Sequence, residues 1–287
     1  MDKRKLLSYW DRLWEGLNTL RKRGFFHIIA GSTLAKIAGF VSVFFLPRFL
    51  SKADYGLLTY VDNIRNYVML FNGLGITQAT LRYCAQEGSD EEKKGYFITT
   101  LKVGIAADVA LIVVTMAAYL AVPFPFEGAR FQLVLSSCLP VLYFLFTDIQ
   151  LLLRATFQNQ CYSVYNFTYS FLLMIFQIVF AVLWGVTGVM VSRYISMALC
   201  AAMGFLLIRD LPLMKVKALM PDRAQVKQMI RFGIVMLTAS ATSQVMSYNE
   251  TYIVGQLIKD EEQLAEYRVA ANILSLSLFL LEALLVF

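Results

Sequence analysis

The sequence predicts an all-α polytopic membrane protein, and three observations carry that prediction. Hydrophobic residues make up 58% of the 287 positions and charged residues only 16%, against about 25% charged in a soluble domain. The apolar residues gather in repeated runs of about 20, enough for a helix to cross ~30 Å of hydrocarbon. The basic residues fall chiefly in alternate connections between those runs, as in proteins threaded through a bilayer.

The first 24 residues precede any span. Leu6, Leu7, Trp10, Leu13, Trp14, Leu17 and Leu20 recur at three- and four-residue spacing among basic residues. That pattern fits either a helix lying on the membrane surface or an ordinary juxtamembrane helix. About eight spans follow, near 26–47, 56–81, 97–121, 131–153, 164–184, 187–208, 229–256 and 265–287. Pro140 is expected to kink the fourth, and a short turn around Gly185–Gly188 joins the fifth and sixth. The loops of one set carry 17 Lys and Arg and those of the other carry 4, with five more inside spans. The richer set is expected to be cytoplasmic, with the N-terminus inside.

Four segments result: a cytoplasmic amphipathic segment (1–24), a first six-helix bundle (25–208), a basic cytoplasmic linker (209–228) and the first two helices of a second, incomplete bundle (229–287). The linker is followed by an echo: "YGLLTYVDNI" opens the second span and "LAEYRVAANI" the eighth. A tandem repeat with six spans per copy keeps both copies in one orientation. The sequence stops inside an apolar run, so it reads as a fragment or early-terminated form of a longer protein.

Little here suits enzyme chemistry. His27 is the only histidine, and Cys84, Cys138, Cys161 and Cys200 are too widely spaced for a metal site. No metal, cofactor or nucleic-acid partner is expected.

Ionisable residues inside spans are costly and therefore candidates for function, with structural ion pairs as the competing explanation. Asp62 and Arg65 are three apart on one face. Asp108 has no partner on its own helix. Arg193 lies in the sixth span, from which it could reach outer-leaflet water, and Arg268 and Asn272 share a face of the eighth. The seventh is the most polar, with Ser243, Ser247 and Glu250 on one side, so it either lines a wet cavity or packs at the centre of a bundle interface. Lys36 sits near the middle of the first span, beside a small-residue stripe of Gly31, Ala35, Ala38 and Ser42. It is expected to face a cavity or a helix interface, answered by an anionic ligand or by Asp108 or Glu250.

Taken together, "HIIAGSTLAKIAGFVSVFFLPRFLS", "ADYGLLTY", "NGLGITQATLRY", "SYNETYIVGQL" and "EYRVAANI" resemble the polysaccharide-export flippases of the O-antigen and capsule type. These belong to a superfamily that includes the MATE multidrug exporters. The resemblance implies a MATE-like first six-helix bundle, a second bundle, a central cavity and alternating access in a bacterial cell membrane. It implies a lipid-linked oligosaccharide on a polyprenyl diphosphate as cargo, with membrane lipid and other polysaccharide-assembly membrane proteins as partners. In that setting Lys36, Arg65, Arg193, Arg268 and Asn272 are the expected cargo contacts. Asp62, Asp108 and Glu250 are candidates for ion coupling or ion pairing, and Ser243 and Ser247 for the cavity wall. Where the family leads one to expect an acid followed by an aliphatic turn in the seventh span, the sequence has Asn249-Glu250-Thr251. The competing readings are a cation-coupled MATE-like drug exporter and a polytopic sugar polymerase or ligase. The first is disfavoured by cations inside the spans, the second by short outside loops without a D-x-D.

Overall fold

The computed structural model describes residues 25–258 and 260–285; the segment expected to be amphipathic at 1–24 lies outside them. Among the described residues the regular elements are helices: α1 (Phe25–Phe49), α2 (Lys52–Met69), α3 (Thr77–Ala85), α4 (Asp90–Ala121), α5 (Ala129–Ser136), α6 (Leu139–Ala155), α7 (Asn159–Arg209), α8 (Pro212–Lys215), α9 (Arg223–Ile258) and α10 (Glu261–Leu285). A 3-10 turn, Asn72–Gly75, lies between α2 and α3.

Local chemistry sets several of these starts. Ser51 caps α2, its hydroxyl accepting from the Asp54 N–H at 3.0 Å. A reciprocal box of Ser89 and Glu92 opens α4, ahead of a first turn bearing Asp90 and Glu91 that suits the helix dipole. Pro140 sits in the first turn of α6, where a missing N–H costs nothing. The bend expected from it appears at that start, as a 41° angle between α5 and α6.

The 51 residues of α7 are two antiparallel arms. Trp184 and Gly185 leave helical geometry, Gly185 at φ 57° and ψ −136°, a region open mainly to glycine. The backbone carbonyl of Phe180 then packs directly over Gly188, and the Tyr165 ring over Gly204. Residues so far apart along a straight helix never meet, so the chain has turned back on itself.

The second span is not continuous. Instead of one helix through 56–81, α2 ends at Met69 and the chain kinks through Gly73 (φ 54°), Leu74 (φ 49°) and Gly75 (φ 70°) before α3. The kink frees backbone groups that a helix would satisfy internally, and Asp108 takes one of them, as described below. Among the described residues, two helices, α4 and α7, are long and apolar enough to cross a membrane, or three if α5 and α6 form one bent span. The eight expected spans are therefore not reproduced by length and composition alone.

The connections gather at two ends. At one, Leu50, Tyr55, Phe126, Ala129, Val186 and Leu264 share an apolar cluster. At the other, called here the linker end, a second cluster joins Cys84, Leu153, Leu211 and Leu213. There Lys94 Nζ donates to the Met214 and Val216 carbonyls, both at 2.7 Å, and the Leu219 N–H donates to the Glu91 carbonyl at 2.9 Å. A third cluster, Ile76, Ala79, Phe144 and Met229, holds α9 against α3 and α6. α1 packs chiefly along α7, and α10 along α2. Much of the apolar surface points outward: only 22% of the most apolar stretch of α4 and 28% of that of α7 is buried, and Val113 and Val114 are each 65% exposed. A water-soluble bundle would bury those faces; a lipid-facing one exposes them.

Candidate functional site

Four helices enclose a polar cavity of about 360 Å³. α2 contributes Arg65 and Asn66, α6 Tyr143, the two arms of α7 Tyr169, Gln177 and Arg193, and α9 Ser240, Gln244 and Tyr248. The contacts that seat α9 against α2 lie on the side away from the linker. Asn63 Nδ2 donates to the Tyr248 carbonyl at 3.0 Å, the Tyr67 hydroxyl donates to Asn249 Oδ1 at 2.7 Å, and Gln256 Nε2 donates to the Tyr60 hydroxyl at 3.2 Å. Towards the linker, the kink carries Gly75 against the backbone of Gly233.

The charge arrangement at the cavity is unequal. Asp62 accepts a bidentate pair from Arg193, Nη1 to Oδ1 at 2.5 Å and Nη2 to Oδ2 at 2.6 Å. Arg65 reaches the same carboxylate more weakly, at 3.4 Å. Arg65 also donates to Asn66 Oδ1 at 3.2 Å, and its Nε is buried without a hydrogen-bond partner. Two guanidinium groups thus share one carboxylate. They are the only charged side chains among the described lining residues, so the wall carries a net positive charge in a low-dielectric setting, where a fixed charge acts strongly.

The structure divides the sequence candidates. Asp62, Arg65 and Arg193 come together, but Asp62 pairs chiefly with Arg193 rather than with its own-helix neighbour Arg65. Arg193 is 6% exposed and is turned onto Asp62. Asp108 lies elsewhere, its Oδ1 accepting from the Gly73 N–H at 2.7 Å and its Oδ2 from Asn72 Nδ2 at 3.0 Å. Asn72 Nδ2 also donates to the Pro140 carbonyl at 2.8 Å. Asp108 therefore fastens the kink.

Lys36 is exposed on α1 and is not among the residues lining this cavity. The stripe beside it buries Ala38 and Ser42, and Lys36 lies about 200° around the helix from Ala38. Arg268 is half-buried on α10 and acts electrostatically on Asp62 and Tyr55. Asn272 donates to the Tyr55 hydroxyl at 3.3 Å. It lines a separate, mostly apolar cavity of about 240 Å³ with Phe44, Pro47 and Arg48 of α1. The side chains of Ser243, Ser247 and Glu250 lie outside the described residues.

Sequence reasoning missed Tyr143, Tyr169, Gln177 and the α9 face of Ser240, Gln244 and Tyr248. That face has the same four-residue spacing as Ser243 and Ser247, rotated by about 100°.

A family model described as polysaccharide biosynthesis protein matches residues 22–285. A solved structure described as "protein A" is similar with a TM-score of 0.65 and 14% identity, over 89% of this chain and 60% of that one. The crystal structure of a MATE point mutant is similar with a TM-score of 0.59 and 13% identity, over 87% of this chain and 64% of that one. The chain thus spans less than two thirds of either structure, and at these identities the likeness is one of fold. No curated protein matches.

Proposed function

The chain belongs to the polysaccharide biosynthesis protein family, and we propose that it contributes the first bundle and the start of the second to a MATE-like membrane transporter. The cargo in this reading is an oligosaccharide on a polyprenyl diphosphate, carried from the cytoplasmic to the outer leaflet of a bacterial cell membrane by alternating access. The 17-to-4 distribution of Lys and Arg supports a cytoplasmic N-terminus and linker.

One observation carries the cargo class: the cavity's two arginines share a single carboxylate, and one of them has an unpartnered Nε. A diphosphate entering the bilayer needs donors in fork geometry, which guanidinium supplies. An exporter of organic cations calls for the opposite sign. Tyr143, Tyr169 and Tyr248 give amphipathic rings suited to sugar faces. In this reading Arg65 and Arg193 hold the diphosphate. Lys36 and Arg268 are secondary cations along the route, and Asn272 lies beside the apolar cavity.

Binding of a fluorescent short-chain polyprenyl diphosphate to the purified chain in detergent tests this. Arg65→Gln is expected to weaken binding about tenfold or more, the weight of a charge-assisted hydrogen bond, with the melting temperature nearly unchanged. Equal affinity of the variant and the parent rejects the cargo class.

A further inference from the structure

Another carboxylate, Asp148 on α6, takes no part in the cavity. It is fully buried and has no ion pair among the described residues. Its surroundings are hydroxyls. Thr80 Oγ1 of α3 lies 2.5 Å from Asp148 Oδ1, and Thr100 Oγ1 of α4 lies 3.3 Å from Oδ2. The two threonine oxygens are 2.8 Å apart, and Thr100 Oγ1 is 2.8 Å from the Phe97 carbonyl.

Counting protons decides the form of the acid. The path from Asp148 Oδ1 through Thr80 and Thr100 to the Phe97 carbonyl contains three short oxygen–oxygen contacts. Each hydrogen bond needs one proton, and two threonines supply two. With an ionised Asp148, one of the three is a bare contact between lone pairs. A protonated Asp148 closes the series: its O–H donates to Thr80, Thr80 to Thr100, and Thr100 to the carbonyl. Asp108 differs, since two N–H groups reach its two oxygens and leave no donor lacking.

Among the described residues no cation acts on this carboxyl; only the two threonine hydroxyls favour its charged form, against the cost of burial. Cys84 of α3 is the titratable group on which this carboxyl acts, and Ile149 and Leu152 of α6 belong to an apolar cluster that also holds Tyr96, Cys161, Tyr162, Tyr165, Tyr169 and Cys200. Thiols and phenols are neutral near pH 7. The 3-10 turn presents Asn72, already engaged by Asp108. Lys93, in the first turn of α4, acts on Cys84. A carboxylate buried among such groups with no cation takes up a proton instead of staying charged.

The helix that carries Thr80, with the turn before it, also meets α9. Ile76 and Ala79 pack on Met229, Gly75 lies against Gly233, and the Arg82 guanidinium sits 4.6 Å over the Phe232 ring. We propose that Asp148 is a proton-binding site whose bound proton locks α3 against α4 and α6, so that losing it loosens α3 and, through α3, the contact with α9 at the linker end. The inference is independent of the cargo.

The test uses the purified chain in lipid nanodiscs, by infrared difference spectroscopy between about pH 5 and about pH 9. The wild type is expected to show a protonated-carboxyl band that persists at neutral pH, disappears on alkalinisation and is missing in Asp148→Asn. Hydrogen exchange of α3 amides is expected to quicken about tenfold or more over the same range in the wild type. It should stay flat in Asp148→Asn, whose amide mimics the neutral acid. Should that variant fail to fold, Thr100→Val serves. It cuts the path to the Phe97 carbonyl and is expected to move the pH at which the band disappears. An Asp148→Asn spectrum matching the wild type overturns the proposal, as does exchange equally pH-dependent in both or, in Thr100→Val, an unmoved band. So does α3 exchange that follows sodium at fixed pH, because the acid would then be an ionised metal ligand.

Discussion

Asp62 on α2 and Asp108 on α4 are both aspartates within helices, and the molecule uses them in opposite ways. Asp62 is answered by charge: two guanidinium groups converge on it at the cavity wall. Asp108 is answered by a backbone N–H and a carboxamide where the chain leaves helical geometry. The first sets the sign of the cavity. The second replaces hydrogen bonds that a kinked helix gives up inside a bilayer. An acid in a span is therefore not a coupling residue by virtue of its place; its donors decide its role.

The largest effect is expected from breaking the ion cluster. Asp62→Asn leaves Arg193 almost buried without a counter-charge, a loss on the order of 3–5 kcal/mol for a sealed pair. Asp62 is 26% exposed, so about 2–3 kcal/mol is expected here. Thermal unfolding in detergent reads it, and Arg193→Met added to Asp62→Asn should recover most of the loss. Failure of that rescue would mean that Asp62 acts by packing.

Asp108→Asn should cost less, about 1–3 kcal/mol, because one donor at the kink loses its acceptor. No removal of a cation should rescue it. Rescue by Arg65→Gln would make Asp108 part of the charge cluster and erase the contrast. Hydrogen exchange at residues 72–76 should rise in this variant and stay unchanged in Asp62→Asn.

The smallest effect belongs to a pair in the open. Lys52 Nζ lies 2.9 Å from Glu266 Oε1, with the two side chains 64% and 66% exposed. The hydrogen bond and charge of Glu266 hold the Lys52 ammonium above its ordinary value. Whatever this pair contributes is complete below the usual lysine range and is lost as pH rises through the raised value. Lys52→Ala is expected to leave the melting temperature unchanged near neutral pH. A clear drop would show that exposed charge between α2 and α10 matters as much as buried charge.

Much of this was legible in the sequence. Helical class followed from the apolar runs. The Asp62–Arg65 proximity followed from i,i+3 spacing. Arg193 as the main partner did not, since it lies 131 positions from Asp62 and only the packing of α2 on α7 joins them. The kink was written in "NGLG", but an apolar average runs straight through two glycines. On α9 the four-residue spacing of small polar residues was visible, while the face turned to the cavity was not. A helix repeat gives period without phase, and phase comes from the neighbour. Lys36 shows the same limit: Ala38 and Ser42 of the stripe beside it are buried, while the lysine is exposed and outside the lining of the cavity. Tyr143 and Tyr169 carry no signal of their own, because nothing local separates a cavity ring from a core ring.

The attachment of the linker to α4 sets a limit on travel. The last anchored residue is Leu219, held to the Glu91 carbonyl, and α9 begins at Arg223. Four residue steps at full extension span about 14 Å. The start of α9 is on a leash of that length, tied to the start of α4, so α9 cannot slide along the first bundle by more than a few helical turns. The tether thus bounds translation of the start of α9 to about that length, while the opposite side of α9 is held by side-chain hydrogen bonds to α2 and not by the chain.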